Sequence, residues 1–377
     1  MEGPLSRYAN VRTTEAHGSG PEPRGTTIDV VAADQTFCDE WLELAGRLPS
    51  SYFQTPDWIL TWWRHNGRPV TQVYSWRDRH GSLVAVVALT RTRYPLVTRF
   101  GWSVPVTSNA GAGAGDADHC GWLVDPIVAP TVRAWTEQTL RRETLLVHGV
   151  AAACGDNALP RHAGLLAETV CPRLEIPPTL DELDASGKFC KQLRRYGRRL
   201  ADSDVTFRWV GPGRVEPGHL ATMHHLHTLR RTMKAGTAAS GFGDRELALH
   251  HALVELRRRD RGPAVVVAER EGMTIGILYG LWWQRTFAYY QLGWHPDWAR
   301  HNLGTMLVGE AIRLAGARGA DVFDFLRGAE PYKYRFGASD AIDRTWYTPR
   351  GRSGRLLQLA QAARTVRRRG PTPAVSD

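Results

Sequence analysis

Apolar positions along the first part of the chain fall into two kinds of period. Phe37, Trp41, Leu44 and Leu48 form one stripe, which predicts an amphipathic helix over Gln35 to Arg47. Pro56 opens a second predicted helix through Trp58, Leu60 and Trp63, with Thr55 as the capping residue before a first-turn proline. Thr71 to Arg77 and Ser82 to Thr92 then read as strands joined by the polar turn Asp78 to Gly81, a hairpin signal. Ser108 to Gly121, SNAGAGAGDADHCG, reads as a flexible glycine-rich loop. It lacks the flanking strand and helix of a dinucleotide fingerprint. After a short predicted strand at Glu143 to Val147, the chain to Leu180 reads as loop. Pro160, Pro172, Pro177 and Pro178 punctuate it, as expected of an inter-domain connection.

The second half is more regular. Ser186 to Ala201, His219 to Met233 and Asp244 to Arg259 are predicted helices. Ala264 to Arg270, Thr274 to Trp283 and Thr286 to Leu292 read as an antiparallel meander, with turns at Glu271-Gly272 and near Gln284-Arg285. Leu303 to Arg318 is a helix stopped at Gly319, and Val322 to Leu326 a short buried strand. A strand, a loop, a helix and a second strand thus follow in order. That unit sets a helix start, with its free N–H groups, at the mouth of a sheet, where an anion can bind.

A length of 377 residues allows two domains or one large one. With 42% hydrophobic and 23% charged residues, the composition is that of a soluble globular protein. No apolar run reaches the roughly 18 residues of a membrane span. A signal pattern is also lacking, so a cytoplasmic protein without a membrane span is expected. Residues 1 to 27 read as a disordered tail. The net charge of +10 resides in two segments. Lys188 to Arg199 holds six basic residues and Arg344 to Ser376 eight, with no acid in either. Such segments suit phosphate-rich partners or simple solvation. The five cysteines are odd in number and show no CxxC pair, so neither a disulfide framework nor a zinc site is expected. The histidines at 219, 224, 225, 227, 250 and 251 also lack metal-site spacing, and no metal is predicted.

SGKFCKQLRRYGRRL, the meander, and HPDWARHNLGTMLVGEAIRLAGARGADVFDFLRGAEPYKYRFGA, spanning about Ser186 to Ala338, resemble the acetyltransferase-like domain of the GNAT superfamily. FDFLRG followed by YK is the most distinctive piece, and the subgroup it resembles is the CelD/BcsL type. FQTPDWILTWWRHNGRP resembles the opening of that subgroup. Similar proteins, including Fem-type peptidoglycan aminoacyltransferases, carry two tandem GNAT-like folds. The resemblance therefore implies an α/β (α+β) fold of tandem GNAT-like domains, each a mixed, mainly antiparallel sheet flanked by helices. Residues 28–180 would be a degenerate first copy, 181–349 the copy with the active site, and 350–377 a basic C-terminal tail.

It also implies direct N-acyl transfer from acyl-CoA to an amine on a sugar, peptide or secondary metabolite. By resemblance, the donor would lie along Leu292, Gly293 and Trp294 and against the loop of Arg300, Asn302, Gly304 and Thr305. Only Gly304 of that loop matches a motif glycine. Fem-type enzymes show similarly eroded loops and take aminoacyl-tRNA, which makes aminoacyl-tRNA the alternative donor and tRNA the alternative partner. A non-catalytic binding module is the rival from another class. Acyl transfer needs a base, a polarised carbonyl and a proton for the leaving group. Asp324 and Glu330 are candidate bases or amine holders, Lys333 and Arg327 candidate anion holders, and Tyr332 a candidate proton donor. Tyr289 and Tyr290 alternate in direction on the strand before the cleft and are candidate substrate contacts, as is Arg335 of YKYRFG.

Overall fold

Asp34 opens the first helix by accepting the Phe37 N–H at 2.8 Å, and the architecture of the first half builds from there. The computed structural model describes residues 25–29, 33–67, 69–97, 101–113, 116–151, 157–179, 182, 187–235 and 242–368. The expected N-terminal tail lies almost wholly outside them, as do the last residues of the basic tail. The chain divides into two compact units, Met1–Glu168 with Asp343–Asp377, and Thr169–Ile342. The sequence reading places the division near 180. The observed one falls inside a strand, and the residues from Asp343 onward return to the first unit.

In the first unit, strand β1 (Gly25–Asp29) precedes helices α1 (Gln35–Arg47) and α2 (Pro56–His65). Strands β2 (Thr71–Arg77), β3 (Leu83–Val97) and β4 (Trp102–Asn109) continue an antiparallel ladder from β1. Short β5 (Leu123–Val124), helix α3 (Ala129–Thr139) and β6 (Leu145–Ala151) follow. β6 runs parallel to β4 over only Thr107↔Leu145 and Ser108↔Leu146. Trp76, Val87, Val132 and Leu145 lie in the core between sheet and α3. The glycine-rich stretch is not a free loop. Trp58 Nε1 donates to Gly111 O at 2.9 Å, and Gln54 Nε2 to Gly121 O at 2.8 Å. Its small residues allow the chain to pack under the indoles, so it is largely buried.

Where the sequence reads as a connecting loop, the chain forms the long strand β7 (Gly164–Glu175), whose latter part belongs to the second unit. That unit continues with α4 (Lys188–Ala201), β8 (Thr206–Val210), α5 (Pro217–Ala235), α6 (Asp244–Glu255), β9 (Gly262–Arg270), β10 (Met273–Trp283) and β11 (Thr286–Trp294). Then come α7 (Leu303–Gly316), β12 (Val322–Asp324) and the single turn α8 (Pro331–Tyr334). Strand order is β7-β12-β11-β10-β9-β8, with β11 and β12 parallel and the rest antiparallel. Glu271 and Gly272 take left-handed angles in the β9–β10 turn, as a two-residue hairpin requires.

One sheet face is closed by α4 and α7 through Phe189, Leu193, Leu303, Leu307 and Ile312. α5 and α6 cover the other, where His250 bonds Tyr279 at 2.8 Å. Each of these buried aliphatic or aromatic side chains contributes about 1.5–3 kcal/mol. Finally β13 (Ser339–Tyr347) pairs with β6 from Asp343 onward, and α9 (Gly351–Arg368) follows. No helix among the described residues is long and apolar enough to cross a membrane.

Candidate active site

β11 and β12 stay parallel for three pairs, Thr286↔Val322 to Ala288↔Asp324, and then part. Asp324 drives the parting. Its Oδ1 accepts the Leu326 N–H at 2.8 Å and its Oδ2 accepts Arg173 Nε at 2.7 Å. Leu326 and Gly328 take positive φ of 54° and 104°, turning the chain toward β7. There Phe325 and Gly328 donate to Pro172 O and Val170 O, each at 2.9 Å. Lys333 locks this lip. Its buried Nζ donates to Leu326 O at 3.2 Å and to Arg327 O and Gly328 O at 2.8 Å, and pairs with Glu330 Oε2 at 2.9 Å. A Cβ on Gly328 would stand 2.6 Å from the Glu330 carboxylate oxygens. Only glycine fits that backbone angle beside that carboxylate.

The opposite lip is β11. Its register with β10 slips between Tyr279 and Gly280, so Gly280 faces Tyr289 and Tyr279 faces Gln291. Tyr290 is the extra residue of this bulge, and its ring packs on His250 at 4.4 Å. Leu292 directs its N–H to Gln291 Oε1 at 2.9 Å, and its carbonyl takes His227 Nδ1 at 3.1 Å. The Leu292 edge of the strand is thus covered by side chains of this chain. Burial holds the His227 ring below its ordinary pKa, so the neutral imidazole donates. A Cβ on Gly293 would lie 2.3 Å from Met223 O, so helix α5 rests directly on the strand. Trp294 lies over Gly304, whose Cβ would stand 2.7 Å from the indole Nε1. Gly304 belongs to the first turn of α7, and Asn302 before it, at φ 58°, makes no side-chain cap. The first N–H groups of that helix have no intrahelical partner, by geometry.

Tyr289 from β11 and Tyr332 from α8 join their hydroxyls across the split. The two hydroxyls share one hydrogen bond. Burial, chiefly, pushes Tyr332 up to about 12. The Tyr289 bond and Arg230 oppose the rise, and the Glu330 charge adds to it. Tyr289 is driven well above its ordinary value by burial first, then by Tyr332. Both phenols hold their protons at neutral pH. Phe323 and Phe325 back them, with ring centroids 6.2 and 6.4 Å from Tyr289.

Of the residues expected to carry chemistry, the fold gathers Tyr289, Tyr332 and Glu330 at the split, with Asp324 and Lys333 just beneath and already engaged. Leu292, Gly293 and Trp294 follow along β11, where Trp294 meets Gly304; Asn302, Gly304 and Thr305 stand at the start of α7. Arg300 is exposed and donates to His301 at 3.2 Å. Arg327 is exposed on the lip loop. Arg335 binds Gln192 Oε1 at 2.9 Å and lies 4.4 Å over the Phe189 ring, against α4. Tyr290 faces His250 instead of the split. Sequence reasoning passes over Arg173, Arg230 and Gln291, and meets His227 only as one of six histidines without metal-site spacing. Arg230 is set over Trp294 at 5.8 Å and acts on both tyrosines.

A family model described as an acetyltransferase (GNAT) domain matches residues 187–334. No curated protein matches the chain. Among solved structures, FemX is similar with a TM-score of 0.62 at 10% identity, over 86% of this chain and 98% of that one. The C-terminal domain (DUF2156) of a chain named as a lysylphosphatidylglycerol synthetase from Agrobacterium fabrum gives 0.51 at 12% identity, over 86% and 95%. A conserved protein of unknown function from Bacteroides thetaiotaomicron VPI-5482 gives 0.51 at 12%, over 82% and 97%. At such identities the likeness is one of fold. The fold is GNAT-like, a mixed, mainly antiparallel sheet flanked by helices, and residues 187–334 of the second unit match a GNAT acetyltransferase domain. That match supports a transferase.

Proposed function

We propose that the second unit transfers an acyl group from acyl-CoA directly to the nitrogen of an amine, as in the CelD/BcsL type it resembles. One observation carries this reading: the Tyr289–Tyr332 hydroxyl pair and the Glu330 carboxylate stand at the split of β11 and β12, with the start of α7 at the end of β11. The thioester carbonyl would sit at the split and the donor phosphates at the α7 N-terminus. Glu330 accepts a proton from the acceptor amine. The nitrogen attacks the carbonyl carbon, and the carbon–sulfur bond breaks as the amide forms. Tyr332, paired with Tyr289, gives its proton to the departing thiolate. Gln291 must release the Leu292 N–H if the pantetheine arm is to pair there.

A second reading is a Fem-type transferase using aminoacyl-tRNA. The exposed face of α4 favours it, with Lys188, Lys191, Arg194, Arg195, Arg198 and Arg199 and no acid among them. Thermal stabilisation of the full chain separates the two. A donor at about 100 times its dissociation constant adds about 2.7 kcal/mol. Stabilisation by acetyl-CoA or a longer acyl-CoA is expected. Stabilisation by charged tRNA alone would replace the first reading with the second, and silence from both would leave a binding module.

A further inference from the structure

Helix α9 meets the sheet of the first unit through Leu357. That side chain is buried and clusters with Val104 and Val106 of β4, with Tyr94 and Leu96 of β3 packed beside them. Arg352, Arg355, Leu356 and Leu359 recur at steps of three and four, so they share one helix face, and all four are exposed. Leu356 keeps 46% of its surface in solvent and Leu359 67%. A third exposed apolar group stands beside the helix. Trp102 heads β4, two residues before Val104, so strand alternation puts it on the sheet face that α9 covers. It is 67% exposed. Apolar side chains grouped in this way mark an interaction surface, whereas single ones are ordinary.

The charge around them has one sign. α9 carries Arg352, Arg355, Arg364, Arg367 and Arg368, and the chain from Leu83 to Asn109 carries Arg91, Arg93 and Arg99. Neither segment holds an acidic residue. Arginines alone would suit any polyanion. Leucines set between them, with an indole alongside, also need an apolar phase, which a nucleic-acid backbone does not offer. The boundary of an anionic bilayer offers both, phosphates for the guanidinium groups and acyl chains for leucine and tryptophan. Arginine stems lie along apolar surface while their charged heads reach the phosphates. No described helix is long and apolar enough to cross a membrane, so such a contact lies on the surface.

We infer that the outer face of α9, together with Trp102, docks on an anionic lipid bilayer, the helix lying in the headgroup plane. Sedimentation of the full chain with vesicles tests this, using phosphatidylcholine alone and phosphatidylcholine with about one-third phosphatidylglycerol. The anionic vesicles should be bound at least tenfold tighter than the neutral ones. Replacing Arg352 and Arg355 by Gln should cost about fivefold for each arginine and about 30-fold together. Leu356→Ser with Leu359→Ser should cost at least tenfold. Brominated lipid should quench Trp102 emission, read as the difference between the parent and Trp102→Phe. These positions are exposed, so the variants should melt at the parent's temperature. Binding to neither vesicle, equal binding to both, or binding unmoved by the leucine variant overturns the inference. Charged tRNA bound by the parent, lost in the arginine variant and kept in the leucine variant would assign the face to nucleic acid instead.

Discussion

Tyr332 and Lys333 are neighbours with opposite expected phenotypes. Tyr332 presents its hydroxyl to the split with a proton retained by burial, so Tyr332→Phe should lower kcat by about 10²–10⁴ with the melting temperature nearly unchanged. Tyr289→Phe should cost less, because its hydroxyl acts through Tyr332. Lys333 bonds three carbonyls from a buried position. Lys333→Met strips those acceptors of their donor and should destabilise the chain by on the order of 3 kcal/mol in urea unfolding. Full stability with lost turnover would instead put Nζ at the reacting atoms. His250 makes a pH prediction. Burial holds it to about 3, aided by His251. Between that value and the ordinary 6.5 the unfolded chain binds more protons, so the contribution is present above 6.5 and lost as pH falls. From pH 7 to 5 it amounts to about 2 kcal/mol. The stability gap between His250→Gln and the parent should change by that much between the two pH values. An unchanged gap would mean the ring is already solvated.

Elements show why some of this was readable in advance and some was not. α1, α2 and β2 carry strong periods and capping residues and were legible almost to the residue. β7 was hidden because its exposed and half-exposed residues do not alternate cleanly and Pro172 reads as a breaker. The proline keeps its carbonyl in the ladder, accepting the Phe325 N–H at 2.9 Å, while its ring nitrogen has no N–H to donate. The glycine-rich stretch looked mobile by composition, yet small residues also permit close packing under Trp58. At the site, Tyr289, Tyr332 and Glu330 were legible from strand alternation and from the residues after a strand end. Arg230 was not, and His227 stood only among the histidines without metal-site spacing, because their placement comes from α5 crossing β11, a register that no local pattern encodes. That crossing predicts a large effect from one methyl group. Gly293→Ala would set a Cβ 2.3 Å from Met223 O and 2.7 Å from His227 N. Backbone cannot yield as a side chain can, so a loss of about 1–3 kcal/mol in unfolding free energy is expected.

Across the whole chain, the parallel pair recurs in both units, and its fate differs. In the second unit β11 and β12 part around two hydroxyls and a carboxylate. In the first, β4 and β6 part after Ser108↔Leu146, and Asn109 fills the gap. Its Oδ1 accepts the His148 N–H at 2.9 Å and its Nδ2 donates to His148 O at 3.1 Å and to Cys120 O. Cys120 Sγ also reaches His148 O at 3.3 Å. The side-chain amide thus mimics a neighbouring strand, satisfying the edge that a ligand's amide would otherwise bind. A chain with two splits, one internally occupied, should bind one donor. Calorimetric titration with acetyl-CoA should give a stoichiometry near one per chain. Gly304→Arg in the second unit, by filling the first turn of α7, should abolish it altogether. A stoichiometry near two, or binding that survives Gly304→Arg, would mean that the Asn109 bridge opens and that the first unit also holds a donor.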